Sequence, residues 1–139
     1  MIPKIINGNR IFDNRGSVQF NNDLKFNKIK RFYLVHNYSK NFVRAWHGHK
    51  VEAKFIFCIR GMAKISAVKI VNFNKPSKKS KVFSWKLNSE VPNVIYIPPG
   101  YANGSKSLTK DMKLIVLSTT TLKKSLNDDF RFPKEFWRI

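Results

Sequence analysis

Arg44-Ala45-Trp46-His47-Gly48-His49-Lys50 decides how this chain is read. Two of its 3 histidines stand here, two positions apart. In an extended strand, residues at that spacing point to the same face. A strand over this stretch therefore aims His47 and His49 into one space, turns Trp46 and Gly48 away, and flanks the pair with Arg44 and Lys50. A second cluster lies downstream at Pro98-Pro99-Gly100-Tyr101-Ala102-Asn103-Gly104. The two clusters are expected to face one anion-binding pocket in a small β-barrel.

Working outward, the chain is rich in short β-forming runs separated by turn residues. Ile5 to Phe12 reads as a strand or arm. Asp13-Asn14-Arg15-Gly16 has turn chemistry, because Gly and Asn tolerate positive φ. Ser17 to Asn21 alternates, and Phe26 to Asn37 shows period two with apolar residues on both sides. Lys54 to Arg60 and Ala63 to Val71 flank Gly61 and read as a hairpin. Lys75 to Lys81 is an exposed basic loop. Lys81 to Leu87, Asn93 to Ile97 and Lys113 to Ser118 are further strands. Helical turns are expected only at Leu122 to Leu126 and around Pro133 to Trp137. About eight short strands at regular spacing argue for an all-β sandwich or barrel, in which inward side chains can hold one small ligand.

Length and composition bound the function. The 139 residues suit one domain, 1–139, with a core that needs no staples. The 12 phenylalanines favour packed strands. One cysteine, Cys58, excludes an internal disulfide framework and fits a cytoplasmic setting. No apolar run has the length of a membrane helix, and no signal-peptide core is present. The 27 Lys and Arg against 8 Asp and Glu give +19, a field that attracts anions: nucleic acid, lipid headgroups or phosphorylated metabolites. The lysines are scattered, however, which also suits a merely solvated surface.

The His47 and His49 pair is compatible with more than one chemistry. The His-x-His pattern resembles part of the ligand set of metal-binding cupins. Glu52, three residues past His49, falls on the opposite strand face, and Asn103 stands where a third histidine is required. Two ligands leave a catalytic metal short, so no metal is expected. A histidine titrating near neutrality can take a proton from a carbon acidified by a carbonyl, with Lys54 or Arg44 placed to stabilise an enolate oxygen. Cys58, in an apolar run, reads as a buried small hydrophobe rather than a nucleophile. A basic barrel with exposed aromatics would bind single-stranded nucleic acid, but most of the aromatics here fall in core patterns.

With both clusters quoted, the chain resembles the sugar-nucleotide cupins, the dTDP-4-dehydrorhamnose 3,5-epimerase family and the related dTDP-hexose 3,4-ketoisomerases. The likeness runs through Asp13-Asn14-Arg15-Gly16-Ser17 and Ile29-Lys30-Arg31-Phe32-Tyr33. Arg44-Ala45-Trp46-His47 is similar to the epimerase Arg-x-x-His, and Arg44 to Lys50 to the ketoisomerase Arg-Gly-x-His-x-His-Lys. Ile97 to Gly104 is similar to the epimerase Ile-Pro-x-Gly-Phe-Ala-His-Gly, and Asn127-Asp128-Asp129-Phe130-Arg131 is a weaker echo of both.

The resemblance implies a cupin jelly roll, a homodimer, and a cofactor-independent isomerase acting on a nucleotide-linked 4-keto-6-deoxyhexose. It implies His47 as the base, His49 as the second histidine, Lys54 at the enolate, and Tyr33 in the pocket. Arg15, Arg31, Arg44, Lys50, Tyr101 and Asn103 would contact the substrate. The late-strand tyrosine acid of the epimerases is missing from Leu114-Ile115-Val116-Leu117-Ser118, so Tyr101 or Tyr33 would replace it. The Phe-x-Glu segment that helps hold the nucleotide in epimerases has no glutamate in Val18-Gln19-Phe20-Asn21. The epimerase reaction is the first expectation and ketoisomerisation the second. A non-catalytic nucleotide-sugar-binding cupin and a nucleic-acid-binding barrel stay open as alternatives.

Overall fold

The computed structural model describes residues 1–139. Twelve strands and one short helix follow the chain: β1 Lys4–Ile6, β2 Asn9–Asp13, β3 Gly16–Phe20, β4 Arg31–His36, β5 Val43–His49, β6 Lys54–Arg60, β7 Met62–Lys69, β8 Val82–Asn88, β9 Val94–Ile97, β10 Tyr101–Ser107, β11 Lys113–Ser118, α1 Leu122–Leu126 and β12 Phe130–Arg131. Two five-stranded sheets have the orders β1-β9-β6-β11-β4 and β12-β5-β10-β7-β8, and β2 and β3 form a separate hairpin. Every pairing is antiparallel. This is the all-β cupin jelly roll.

The inward faces of the two sheets meet in a core of Ile56, Cys58, Ala63, Ile65, Ala67, Leu87, Ile95, Ile97, Tyr101, Met112, Leu114 and Val116. Alternation explains the selection: Ala63, Ile65 and Ala67 of β7 recur at period two. A second cluster of Trp46, Val68, Ile70, Ala102 and Trp137 covers the outer face of the β5/β10/β7 sheet, beneath the C-terminal segment. The Trp46 indole N–H donates to the Trp137 carbonyl at 3.1 Å, which closes that segment onto the barrel.

The hairpin expected at Gly61 does not form. β6 pairs with β9 and β11, whereas β7 pairs with β8 and β10. Gly61 instead passes the chain from one sheet to the other. Its φ is +68°, and a Cβ there would lie 2.1 Å from the Thr109 hydroxyl, so only glycine makes this turn without strain. Three other expectations shift. The strand expected from Phe26 begins only at Arg31, and the arm from Ile5 breaks into β1 and β2. The tail around Pro133 to Trp137 forms a turn, with the Phe136 amide donating to the Pro133 carbonyl, rather than helix.

Candidate active site

A cavity of about 430 Å³ opens at one end of the barrel. β5 builds one wall. His47 and His49 both face it, while Trp46 packs in the outer cluster and Gly48 lies under Phe73 and Phe132. Arg44 also lines the cavity, although it is an odd number of residues from His47. The register explains this: His47 pairs with Asn103 but Ala45 pairs with Gly104, leaving Trp46 as the extra residue of a bulge. A bulge re-aims the residues beyond it. β10 supplies Asn103 and Ser105 opposite, and the Asn103 side-chain amide donates to the His47 carbonyl at 3.0 Å.

The remaining walls come from three directions. β4 contributes Arg31 and Tyr33, β6 contributes Lys54, and the C-terminal segment contributes Ser125, Asp129 and Arg131. The Arg31 guanidinium lies 5.1 Å from the centre of the Tyr33 ring, and Lys54 Nζ lies 6.0 Å from it. Arg31 donates to the Ser125 hydroxyl at 3.2 Å. Arg44 is steered by Asn37, whose side-chain oxygen accepts from it at 3.0 Å and whose amide donates to Ser107 at 2.7 Å. Arg31, Arg44, Lys54 and Arg131 thus converge on one cavity with Asp129 as the lining carboxylate. That arrangement suits a multiply charged anion such as a diphosphate.

The two histidines differ. His47 makes no side-chain hydrogen bond to protein and is half-buried at the cavity wall. Burial, then Lys54 and Arg131, bring its pKa down to about 4, so its imidazole is neutral at pH 7 and free to accept a proton. His49 is 5% exposed. Its Nδ1 donates to the Asp128 carbonyl at 2.6 Å, and its Nε2 faces a Glu52 carboxylate oxygen at 3.3 Å. Burial and Lys54 lower the His49 pKa as well.

Glu52 was expected on the opposite face from the histidines, and that expectation fails. Strand β5 ends at His49, so alternation no longer applies beyond it. The turn that follows is pinned by the Asp128 carboxylate, which accepts from the backbone amides of Lys50, Val51 and Glu52 at 2.7, 2.9 and 2.9 Å. The turn swings Glu52 back against His49 and Lys54.

Three other proposed contacts are also corrected. Lys50 does not line the cavity. It takes the strand face opposite His49, with its ammonium 4.9 Å from the Phe130 ring centre and 5.4 Å from that of Phe73. Tyr101 is 4% exposed and belongs to the apolar core rather than to the cavity lining, although its register partner is His49. Arg15 stands exposed at the β2–β3 turn, paired with Asp13 at 2.6 Å, outside this chain's cavity. The cavity does hold His47, His49, Lys54, Tyr33, Arg31, Arg44 and Asn103. The reading of individual residues missed Arg131, Ser125 and Glu52. The tail likeness around Asn127 to Arg131 was the one signal for Arg131.

Other chemistries find little support in the side chains. Burial pushes the Cys58 thiol up to about 11, far from a thiolate nucleophile. No group of three His, Cys, Asp or Glu side chains is arranged to hold a metal ion. No helix is long and apolar enough to cross a membrane.

No curated protein matches the chain in sequence. Among solved structures, it is similar to the TDP-quinovose 3,4-ketoisomerase WlaRB of Campylobacter jejuni, with 28% identity, 96% of this chain and 95% of that one covered, and a TM-score of 0.69. A 3,4-ketoisomerase from Helicobacter canadensis matches at 25% identity over 98% of this chain and 95% of that one, with a TM-score of 0.72. The dTDP-4-dehydrorhamnose 3,5-epimerase of Sulfolobus tokodaii shares the fold at a TM-score of 0.78, with 23% identity over 99% of this chain and 80% of that one. The model of the family described as "FdtA: WxcM-like, C-terminal" matches residues 1–138, and the chain belongs to that family.

Proposed function

We propose that the protein is a cofactor-independent isomerase of a nucleotide-linked 4-keto-6-deoxyhexose, with a dTDP sugar as the substrate class, moving the carbonyl from C4 to C3. The observation that carries this reading is a neutral, hydrogen-bond-free His47 facing a cavity ringed by Arg31, Arg44, Lys54 and Arg131. The arginines suit the diphosphate. The 4-keto group acidifies the C3 hydrogen. His47 removes it as a proton, and the electron pair forms a C3–C4 enolate whose oxygen is stabilised by Lys54 or Arg44. Protonation of O4 and loss of the O3 proton pass through an enediol. The His47 imidazolium then returns its proton to C4, leaving the carbonyl at C3. No atom is gained or lost.

The same first step serves a 3,5-epimerase, which must also protonate carbon on the face opposite its base. Two features favour ketoisomerisation, which needs proton transfer on one face only. Both ring nitrogens of His49 are turned to Asp128 and Glu52, leaving His47 as the free imidazole. β11 presents Leu114 and Val116 to the cavity, with no acid. Tyr33 is the one hydroxyl-bearing aromatic in the cavity, and the epimerase reading depends on it.

The test is product analysis by NMR after incubating the protein with dTDP-4-keto-6-deoxyglucose in deuterated water. A carbonyl at C3 with label at C3 of residual substrate or C4 of product supports the proposal. Label at C3 and C5 with the carbonyl still at C4 supports the epimerase. Saturable binding without any label makes the protein a non-catalytic binder.

A homodimer is part of the same proposal. Phe32 and Leu34 on β4 are 67% and 53% exposed, and Ile11, Phe12 and Val18 stand out from the β2–β3 hairpin. Such apolar surface suits burial against a second copy. Sedimentation equilibrium at micromolar protein is expected to return twice the chain mass, and the chain mass itself would exclude the dimer.

A further inference from the structure

Glu52 is a fully buried carboxylate placed behind the cationic wall of the cavity. One oxygen, Oε1, accepts from the Thr120 and Ser118 hydroxyls at 2.7 and 2.8 Å. The other, Oε2, has no hydrogen-bond donor, and neither does His49 Nε2, which faces it at 3.3 Å. Two further cations stand close: Lys54 Nζ lies 3.6 Å from Oε2, and Arg31 lies 3.6 Å from Oε1. All three neighbours line the cavity, while Glu52 does not. An isolated buried carboxylate is costly, and removing the partners of one destabilises strongly. These four side chains therefore depend on one another.

The facing pair, His49 Nε2 and Glu52 Oε2, has a specific chemical requirement. Nδ1–H of His49 is committed to the Asp128 carbonyl. In the neutral ring, Nε2 is then a lone pair aimed at an oxygen that can only accept. A single proton between the two atoms satisfies both. We propose that Glu52 is a positioning residue for the isomerisation: it holds Arg31 and Lys54 at the cavity wall and receives an Nε2–H from His49 when that ring takes up its second proton. The positioning role rests on the isomerase reading given above; the pairing does not.

The groups around His49 come from every adjoining element. They are His47 on its own strand, Glu52 on the turn, Lys54 on β6 and Asp128 on the C-terminal segment. Burial and Lys54 disfavour the charged ring, while Glu52 and the Asp128 carbonyl favour it. Replacing Glu52 by glutamine keeps an oxygen for the Ser118 and Thr120 hydroxyls but removes the charge. The side-chain amide can then donate to Nε2, which further favours the neutral ring.

The experiment uses the whole chain carrying labelled histidine, with the three ring signals assigned through His36→Asn and His47→Asn. In the wild type, the neutral His49 ring is expected to carry its proton on Nδ1. In Glu52→Gln its titration midpoint is expected to fall by about one pH unit or more. The same variant is expected to lose about 10²-fold in kcat through a misplaced Lys54, and to raise KM by up to about tenfold through a misplaced Arg31. An Nε2–H neutral tautomer in the wild type overturns the proposal without any variant. So does a His49 midpoint that Glu52→Gln leaves unmoved, or an unchanged kcat. A wild type that performs no isomerisation removes the reaction and the positioning role with it, while the ring titration still decides whether Glu52 and His49 share a proton.

Discussion

The two ends of this barrel are built from the same strands and differ in what those strands turn inward. At the packed end, Cys58 of β6, Ile65 of β7 and Leu87 of β8 meet in an apolar cluster, whose members Ile56, Leu114 and Val116 also reach the cavity. At the open end, β6 presents Lys54, β4 presents Arg31 and Tyr33, and β5 presents His47 and Arg44. The packed end depends on apolar burial, which is non-directional and tolerant of detail. The open end depends on buried charge, which is costly unless each group has its partner. Stability and chemistry are thereby placed in separate parts of one fold, and the comparison predicts that each end can be disabled alone.

The largest effect belongs to the open end. His47→Asn is expected to lower isomerisation by about 10³-fold or more while the melting temperature is kept, because no protein hydrogen bond is lost. Turnover and a thermal melt on one sample check both halves. A large fall in melting temperature would show that the ends are not separate.

The packed end gives the converse. Leu87 is 1% exposed in the apolar core. Leu87→Ala is expected to cost about 2–5 kcal/mol in urea unfolding. The kcat of the protein that remains folded should not change, and a changed kcat would tie the core to the site.

Acid should act at the open end first. The folded-state pKa of His47, about 4, lies below its ordinary 6.5, so the unfolded chain binds the proton more readily in between. Its contribution to stability is full above pH 6.5 and is lost as pH falls towards 4. Glu52 is brought down to about 2 by the Thr120 and Ser118 hydroxyls with Lys54 and His49, against the opposing effect of burial, and it adds a second loss between pH 4.5 and 2. Melts across this range should show both. His47→Asn should make the upper part shallower, leaving the share of His49, whose pKa is also lowered, and should leave the lower part unchanged.

The smallest effect is expected at Lys50. It lies outside the cavity over two aromatic rings, so Lys50→Ala should cost about 0.5–1 kcal/mol of stability. Its kcat/KM should equal the wild type. A substantial loss would restore Lys50 to substrate contact.

What the sequence disclosed follows the same division. The alternation of β5 placed His47 and His49 together, because period two is a local property. β10 escaped detection as a strand: Ala102, Asn103, Gly104 and Ser105 carry little β propensity. Small residues stand there because the strand is central and crowded, and a Cβ on Gly104 would lie 2.8 Å from that of Ala45. The Gly61 crossing could not be told from a hairpin, since sheet membership depends on strands far along the chain. Glu52 was misplaced for a similar reason. The turn that returns it to His49 is held by Asp128, a residue from the opposite end of the sequence.

The most direct test of the account is a crystal structure with a thymidine-diphosphate-linked 4-keto-6-deoxyhexose bound. The predicted complex has the diphosphate among Arg31, Arg44 and Arg131, and a His47 ring nitrogen within about 3.5 Å of sugar C3. A sugar seated elsewhere, or a C3 that faces no nitrogen of His47, would contradict it.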